Sequence, residues 1–138
     1  MANPQPRPRP VPAVNGVEGG RIYNSGHPVI TRSEVSNNAA GTGFGGGNYT
    51  APGGITEIRD SEFFDNDAVF GGALASVQDG GNVSVERSHL GSNTAGLGGA
   101  VYQLGNSSCT FTNATLDGNT AADGPGEARS GSGAAPRC

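Results

Sequence analysis

The sequence predicts an all-β protein, a parallel β-helix (solenoid) of about four coils. A repeat carries this first: Asn38, Asn66, Asn93 and Asn119 head similar phrases spaced 28, 27 and 26 residues apart, the period of stacked supersecondary units. Composition comes second. The chain holds 25 glycines in 138 residues, several in each unit, and each disfavours a helix by roughly 1 kcal/mol relative to alanine. Local pattern is third: apolar and polar residues alternate with period two in short runs bounded by Gly and Asn.

The units align column by column. Three residues before each Asn stands an apolar residue, Val35, Phe63, Leu90 and Leu116, and five before that another, Ile30, Ile58, Val85 and Phe111. Between them lies a small residue, Ser33, Ser61, Ser88 or Ala114, and two after each Asn comes Ala40, Ala68, Ala95 or Ala121. A glycine pair opens each unit: Gly19-Gly20, Gly46-Gly47, Gly71-Gly72 and Gly98-Gly99. An apolar residue follows two positions on, at Ile22, Tyr49, Leu74 and Val101.

Two strands per coil read clearly. One set is Pro28–Thr31, Ile55–Arg59, Val83–Glu86 and Cys109–Thr112; the other is Arg21–Tyr23, Tyr49–Thr50, Ala73–Ala75 and Ala100–Tyr102. A coil of this length holds two or three short strands. Length varies at Gly41–Gly45 and Gly53–Gly54, which read as turns that absorb insertions.

Stacking gives each column a physical role. Equivalent residues in adjacent coils lie about 4.8 Å apart. The four Asn then form an internal ladder, each amide bonding the next, in a turn whose backbone an Asn tolerates in the left-handed region. The glycine pairs allow a sharp bend where a Cβ would clash. The Ser/Ala column fits a narrow corner, and the apolar columns fill the interior.

The ends differ. Residues 1–13 alternate proline with other residues, which favours an extended, disordered segment. Residues 14–123 carry the coils, with Val14–Val17 as the worn end of a preceding one. Residues 124–138 are rich in Gly, Ala, Ser and Pro without an apolar anchor, which favours a disordered tail. A fifth glycine pair falls due at Gly124, where Pro125 interrupts it. This pattern suggests a fragment of a longer solenoid, whose open ends expose strand edges to flanking coils or to self-association.

Phe63-Phe64-Asp65-Asn66, Gly71-Gly72-Ala73-Leu74 and Gly98-Gly99-Ala100-Val101 resemble the paired F-x-x-N and G-G-A-[ILV] motifs of polymorphic outer-membrane protein repeats. The resemblance spans roughly Gly19 to Asp123. Phe stands at the first motif position only in the second unit, and Ala follows the glycine pair only in the third and fourth. The resemblance implies a right-handed parallel β-helix of the pectin-lyase-like superfold. It also implies an extracellular or cell-surface place, as in adhesins and autotransporter passengers. Its motifs are structural, so they speak to fold more than to function.

Composition narrows the classes. Net charge is −4, and all eight basic residues are Arg. Arg7 and Arg9 form the one basic cluster, too small for a nucleic-acid footprint. No apolar run is long enough to span a membrane, and no signal peptide is visible. Cys109 aligns with Val83, Thr56 and Pro28 in an interior column, whereas Cys138 ends the chain; a bond between them has no support in the pattern.

Parallel β-helices can host polysaccharide lyases and hydrolases, which cluster carboxylates on one outward face. Here Arg32, Asp60, Arg87 and Asn113 form one outward column, and Thr31, Arg59, Glu86 and Thr112 its neighbour. Opposite charges in successive coils read as a cross-strand ladder. The next column, Glu34, Glu62, His89 and Thr115, sets two carboxylates beside an imidazole. It is the one catalytic candidate, although a solvated face explains it more simply. Asp65 and Asp67 flank Asn66 and could hold Ca²⁺ loosely, but the pair occurs once where a stacked site would repeat. His27 precedes Pro28 with no partner legible. Asn48, Asn82, Asn106 and Asn113 each begin an N-x-[ST] tripeptide, of consequence only in a eukaryotic secretory host.

The expectation is a non-enzymatic surface-exposed or secreted protein without a cofactor. Its loops at Gly41–Gly45, Ala51–Gly54, Val77–Asn82 and Gln103–Ser108 would meet a host surface, matrix protein or glycan. A polysaccharide lyase or glycoside hydrolase on the same fold is the alternative, and a structural spacer is a third.

Overall fold

The computed structural model describes residues 9–11, 15–16, 20–77, 81–123 and 128–130. Among them every regular element is a short β-strand. The strands stack in parallel into four sheets, giving a β-solenoid of about four coils. Sheet I holds Arg9–Val11, Ser33–Ser36, Glu62–Phe64, His89–Gly91 and Thr115–Asp117. Sheet II holds Asn15–Gly16, Ala39–Phe44, Asp67–Phe70, Thr94–Leu97 and Thr120–Ala121. Sheet III holds Ile22–Asn24, Asn48–Thr50, Leu74–Val77, Val101–Leu104 and Ala128–Ser130. Sheet IV holds Val29–Thr31, Ile55–Arg59, Asn82–Glu86 and Ser108–Thr112. Each coil runs through sheets III, IV, I and II in turn.

A coil thus has four strands rather than two or three. The extra ones, in sheets I and II, are mostly three or four residues long, too short for alternation to show in the sequence. They are separated by corners of one or two residues, one of them in left-handed backbone. Arg32, Asp60, Arg87 and Asn113 turn the chain from sheet IV to sheet I with φ of 46°, 49°, 45° and 50°. Asn37, Asp65, Ser92 and Gly118 turn it from sheet I to sheet II with φ of 57°, 51°, 53° and 63°. The left-handed residue is therefore the one before each ladder Asn, not the Asn itself.

The small column is more than small. Ser33, Ser61 and Ser88 each donate their hydroxyl to the carbonyl two residues back, at 2.8–2.9 Å. The hydroxyls of Ser61 and Ser88 also accept the backbone N–H of the serine one coil earlier, both at 3.1 Å. These bonds satisfy backbone groups that the tight corner takes out of the sheet ladder.

The register corrects one column. Leu74 pairs with Asn48 and with Val101, and Ile22 also pairs with Asn48. Asn48, not Tyr49, therefore occupies the inward position after the glycines, and the pair equivalent to Gly71-Gly72 is Gly45-Gly46. Three consecutive glycines made the choice ambiguous in the sequence. A Cβ on Gly47 would lie 2.7 Å from the Phe63 ring, so the missing methyl makes room for the one Phe in a Val/Leu column. Tyr49 turns outward against Ala75 and Tyr102.

Gly71 has φ of 69°, and a Cβ on Gly72 would stand 2.2 Å from the Gly99 carbonyl oxygen. Neither position accepts a side chain without backbone movement. Gly41–Gly45 does not behave as a turn. It lies mostly within the strand Ala39–Phe44, where four positions separate Ala40 from Phe44 against two between their partners Ala68 and Phe70. The insertion is absorbed as a bulge.

Val35, Ile58, Phe63, Leu74, Val85, Leu90 and Val101 fill the interior. A second apolar cluster wraps the outside of the corner between sheets II and III, with Phe44 stacked on Phe70 at 4.8 Å and Phe70 against Tyr102 at 5.0 Å. Cys109 lies in the interior, 1% exposed. In the end segments, the backbone of Arg9–Val11 pairs with Ser33–Val35 and that of Ala128–Ser130 with Val101–Gln103. The backbone of Asn15–Gly16 pairs with Ala39–Ala40, in the place of the worn preceding coil. The other residues of 1–13 and 124–138, with Gly19 and Cys138, lie outside the described residues.

Candidate functional site

The four ladder Asn stand within the solenoid. Nδ2 of Asn38 donates to Oδ1 of Asn66, Asn66 to Asn93, and Asn93 to Asn119, each at 2.9 Å. The same oxygens accept the backbone N–H of Asn38, Asn66 and Asn93 at 3.0–3.2 Å. Second amide protons reach back to the carbonyls of Val35, Phe63 and Leu90. All four residues are buried, so this column touches no ligand.

The outer face of sheet IV carries a continuous charge network. His27 Nε2 lies 2.7 Å from Glu57 Oε1, and Arg59 Nη2 donates to Glu57 Oε2 at 2.6 Å. Arg59 Nε lies 3.6 Å from Glu86 Oε2, and Arg87 pairs with Glu86. Arg87 also grips Asp60 with two bonds of 2.7 and 3.0 Å. That fork holds the Asp60 carboxyl below its ordinary range and raises the Arg87 guanidinium, in both cases chiefly through the hydrogen bond itself. His27 thus has a partner one coil away, which sequence spacing alone did not reveal.

Beside the network runs a groove of about 440 Å³, lined by Asp60, Glu62, Arg87, His89, Asn113 and Thr115 among others. The catalytic candidates meet here in part. Glu34 pairs in register with Glu62, Glu62 with His89, and His89 with Thr115. Glu34 is not part of the groove lining; its Oε1 accepts the Ser36 hydroxyl at 2.9 Å. His89 Nε2 lies 2.5 Å from Asp117 Oδ1, and its ring meets Phe64 edge-on at 5.0 Å. Asp117 is a partner that the column reading missed, because it sits two residues along the strand rather than in the column.

Glu62 makes no ion pair among the described residues. The groove is open to bulk water. Asp65 and Asp67 are exposed. Among the described residues no three His, Cys, Asp or Glu side chains come close enough to hold a metal ion. Asn48, the first residue of one N-x-[ST] tripeptide, is fully buried, whereas Asn106 and Asn113 are exposed.

A different surface emerges from the connections between strands. Passages from sheet I to II take two residues and those from sheet II to III three, glycine-rich and tightly packed, whereas those from sheet III to IV take four in three coils and three in the last: 25–28, 51–54, 78–81 and 105–107. The described ones, 25–28, 51–54 and 105–107, open along the same edge of the solenoid. Three of the four loops expected to carry contacts lie on this edge, and Gly41–Gly45 lies on another. Residues 78–80 of the third are outside the described residues. No helix among the described residues is long and apolar enough to cross a membrane.

Fold and surface define the molecule as a parallel β-solenoid with one edge of longer loops. No family model, curated protein or solved structure matches the chain.

Proposed function

We propose that this chain is a non-enzymatic, surface-exposed or secreted β-helix that binds a partner through its loop edge. The partner would be a host surface, a matrix protein or a glycan. The right-handed, pectin-lyase-like kind and the likeness to polymorphic outer-membrane repeats belong to this reading. The observation that carries it is the gathering of the irregular loops on one edge, while the repeated residues are spent on interior and corners. Outward charges on sheet IV already pair with each other across coils, which leaves the loops as the variable polar surface. Replacing the exposed Pro52 and Asn106 with serine, with the buried Ala51, Gly54 and Ser107 kept, should weaken retention on immobilised matrix proteins and glycans while preserving the melting transition. Unchanged retention on every surface that binds the native protein would refute the loop edge as the contact.

One observation favours an enzyme instead, namely Glu62 beside His89 with Asp117 behind it. In that reading Glu62 takes or gives the proton and Asp117 orients the imidazole. Release of products from polygalacturonate or alginate, lost in Glu62→Gln, would establish it in place of the binding role. The spacer reading predicts neither binding nor cleavage.

A further inference from the structure

The inner face of sheet III carries a polar column that no repeat motif marks. Asn24, Thr50, Ser76 and Gln103 are partners in register, and none is more than 4% exposed. In the second coil this column is satisfied across the corner to sheet IV. Thr50 Oγ1 lies 2.7 Å from Thr56 Oγ1, Asn48 Nδ2 donates to Thr50 Oγ1 at 3.0 Å, and Asn24 Nδ2 donates to Thr56 Oγ1 at 2.8 Å. In the third coil Ser76 replaces Thr50 and Val83 replaces Thr56. The hydroxyl that Thr50 finds is there a pair of methyl groups. Ser76 Oγ is left without a partner, and so is Asn48 Oδ1. Asn48 and Ser76 are 0% and 1% exposed, and they face the same interior from adjacent strands, two positions apart.

A buried polar atom left unbonded forfeits its hydration without compensation, and native interiors resolve such pairs with an ordered water. We infer that the solenoid binds one internal water between Asn48 Oδ1 and Ser76 Oγ. The water donates one proton to the amide oxygen and shares a second bond with the hydroxyl. No charged side chain belongs to this cluster, so its neutral amide and hydroxyl groups suit water rather than an ion.

The test is a high-resolution crystal structure of the full chain and of Val83→Thr. The native map should show one peak within hydrogen-bonding distance of both atoms. Val83→Thr sets a hydroxyl beside Ser76 as Thr56 stands beside Thr50, so the introduced hydroxyl should bond Ser76 and the peak should move away from Ser76 while keeping Asn48 Oδ1. A native map without the peak, in which Ser76 Oγ donates to a backbone carbonyl, overturns the inference. A peak unchanged in Val83→Thr, or one that gains density in a rubidium soak, overturns it as well. If Val83→Thr does not fold, cross-relaxation between water and the Asn48 side-chain amide in the native protein decides: a long-lived contact supports the water, and its absence rejects it.

Discussion

Each ladder Asn closes its own corner and the next. Asn66 accepts two bonds from Asn38 and donates to Val35 and Asn93. Asn66→Ala strands the Asn38 donors and the Val35 carbonyl in the interior. It should cost about 3 kcal/mol, read as a lower denaturation midpoint. Asn93→Ala should cost a similar amount. Asn119, at 8% exposed, lies near enough to solvent for water to replace part of what is lost, so Asn119→Ala should cost less. Equal losses at all three positions would contradict the ladder as a buried network. The ladder was legible because its chemistry requires one residue type at one spacing. The Ser76–Val83 mismatch was not, because it shows only when two columns are known to face each other across a corner.

Corners and strands obey complementarity within a coil. Phe63 fits where Val or Leu stands in other coils because Gly47 lacks the methyl that Ala73 and Ala100 carry. Gly47→Ala should destabilise by about 1–3 kcal/mol through overpacking. Adding Phe63→Leu should return part of that loss, a coupling measurable in a double-mutant cycle. The serine corner offers the opposite test. The hydroxyl ladder stops at Ala114, where no side-chain acceptor among the described residues stands beneath the Ser88 N–H. Ala114→Ser should add the missing rung and stabilise by about 0.5–1 kcal/mol, seen as a higher melting temperature; a neutral or lower value would deny the hydroxyls their corner role. Sequence reading recovered these columns as small or apolar but assigned neither the hydroxyl bonds nor the Phe63–Gly47 fit. The glycine register slipped by one because three glycines in a row carry no side chain to distinguish them.

At the scale of the molecule, the outer charge network ties successive coils. Asp60 has a folded pKa below its unfolded value, so its pairing with Arg87 stabilises above about pH 3.9 and is lost as pH falls through the lower, folded value. The stability difference between the native protein and Asp60→Asn should therefore be present at neutral pH, shrink on acidification and weaken in high salt. A difference that grows in acid would reverse the assignment. Thr120–Ala121, in the last ladder coil, rests on Thr94–Ala95, and each coil buries its faces against neighbours, so stability should rise with coil number.

The sequence by itself determined the period, the parallel stack and the inward columns, apart from the place that Asn48 takes from Tyr49. Those properties repeat, and stacking at one spacing turns repetition directly into contact. It also placed Glu34, Glu62 and His89 in one outward column. Only the tertiary structure decided the four-strand coil, the left-handed corners before each Asn and the Asp117 partner of His89. It also decided the single edge on which the longer loops gather. These depend on how the chain turns between columns, and a corner of one or two residues leaves no periodic trace. What distinguishes one coil from the next is set where two columns meet, and that meeting is a property of the closed solenoid.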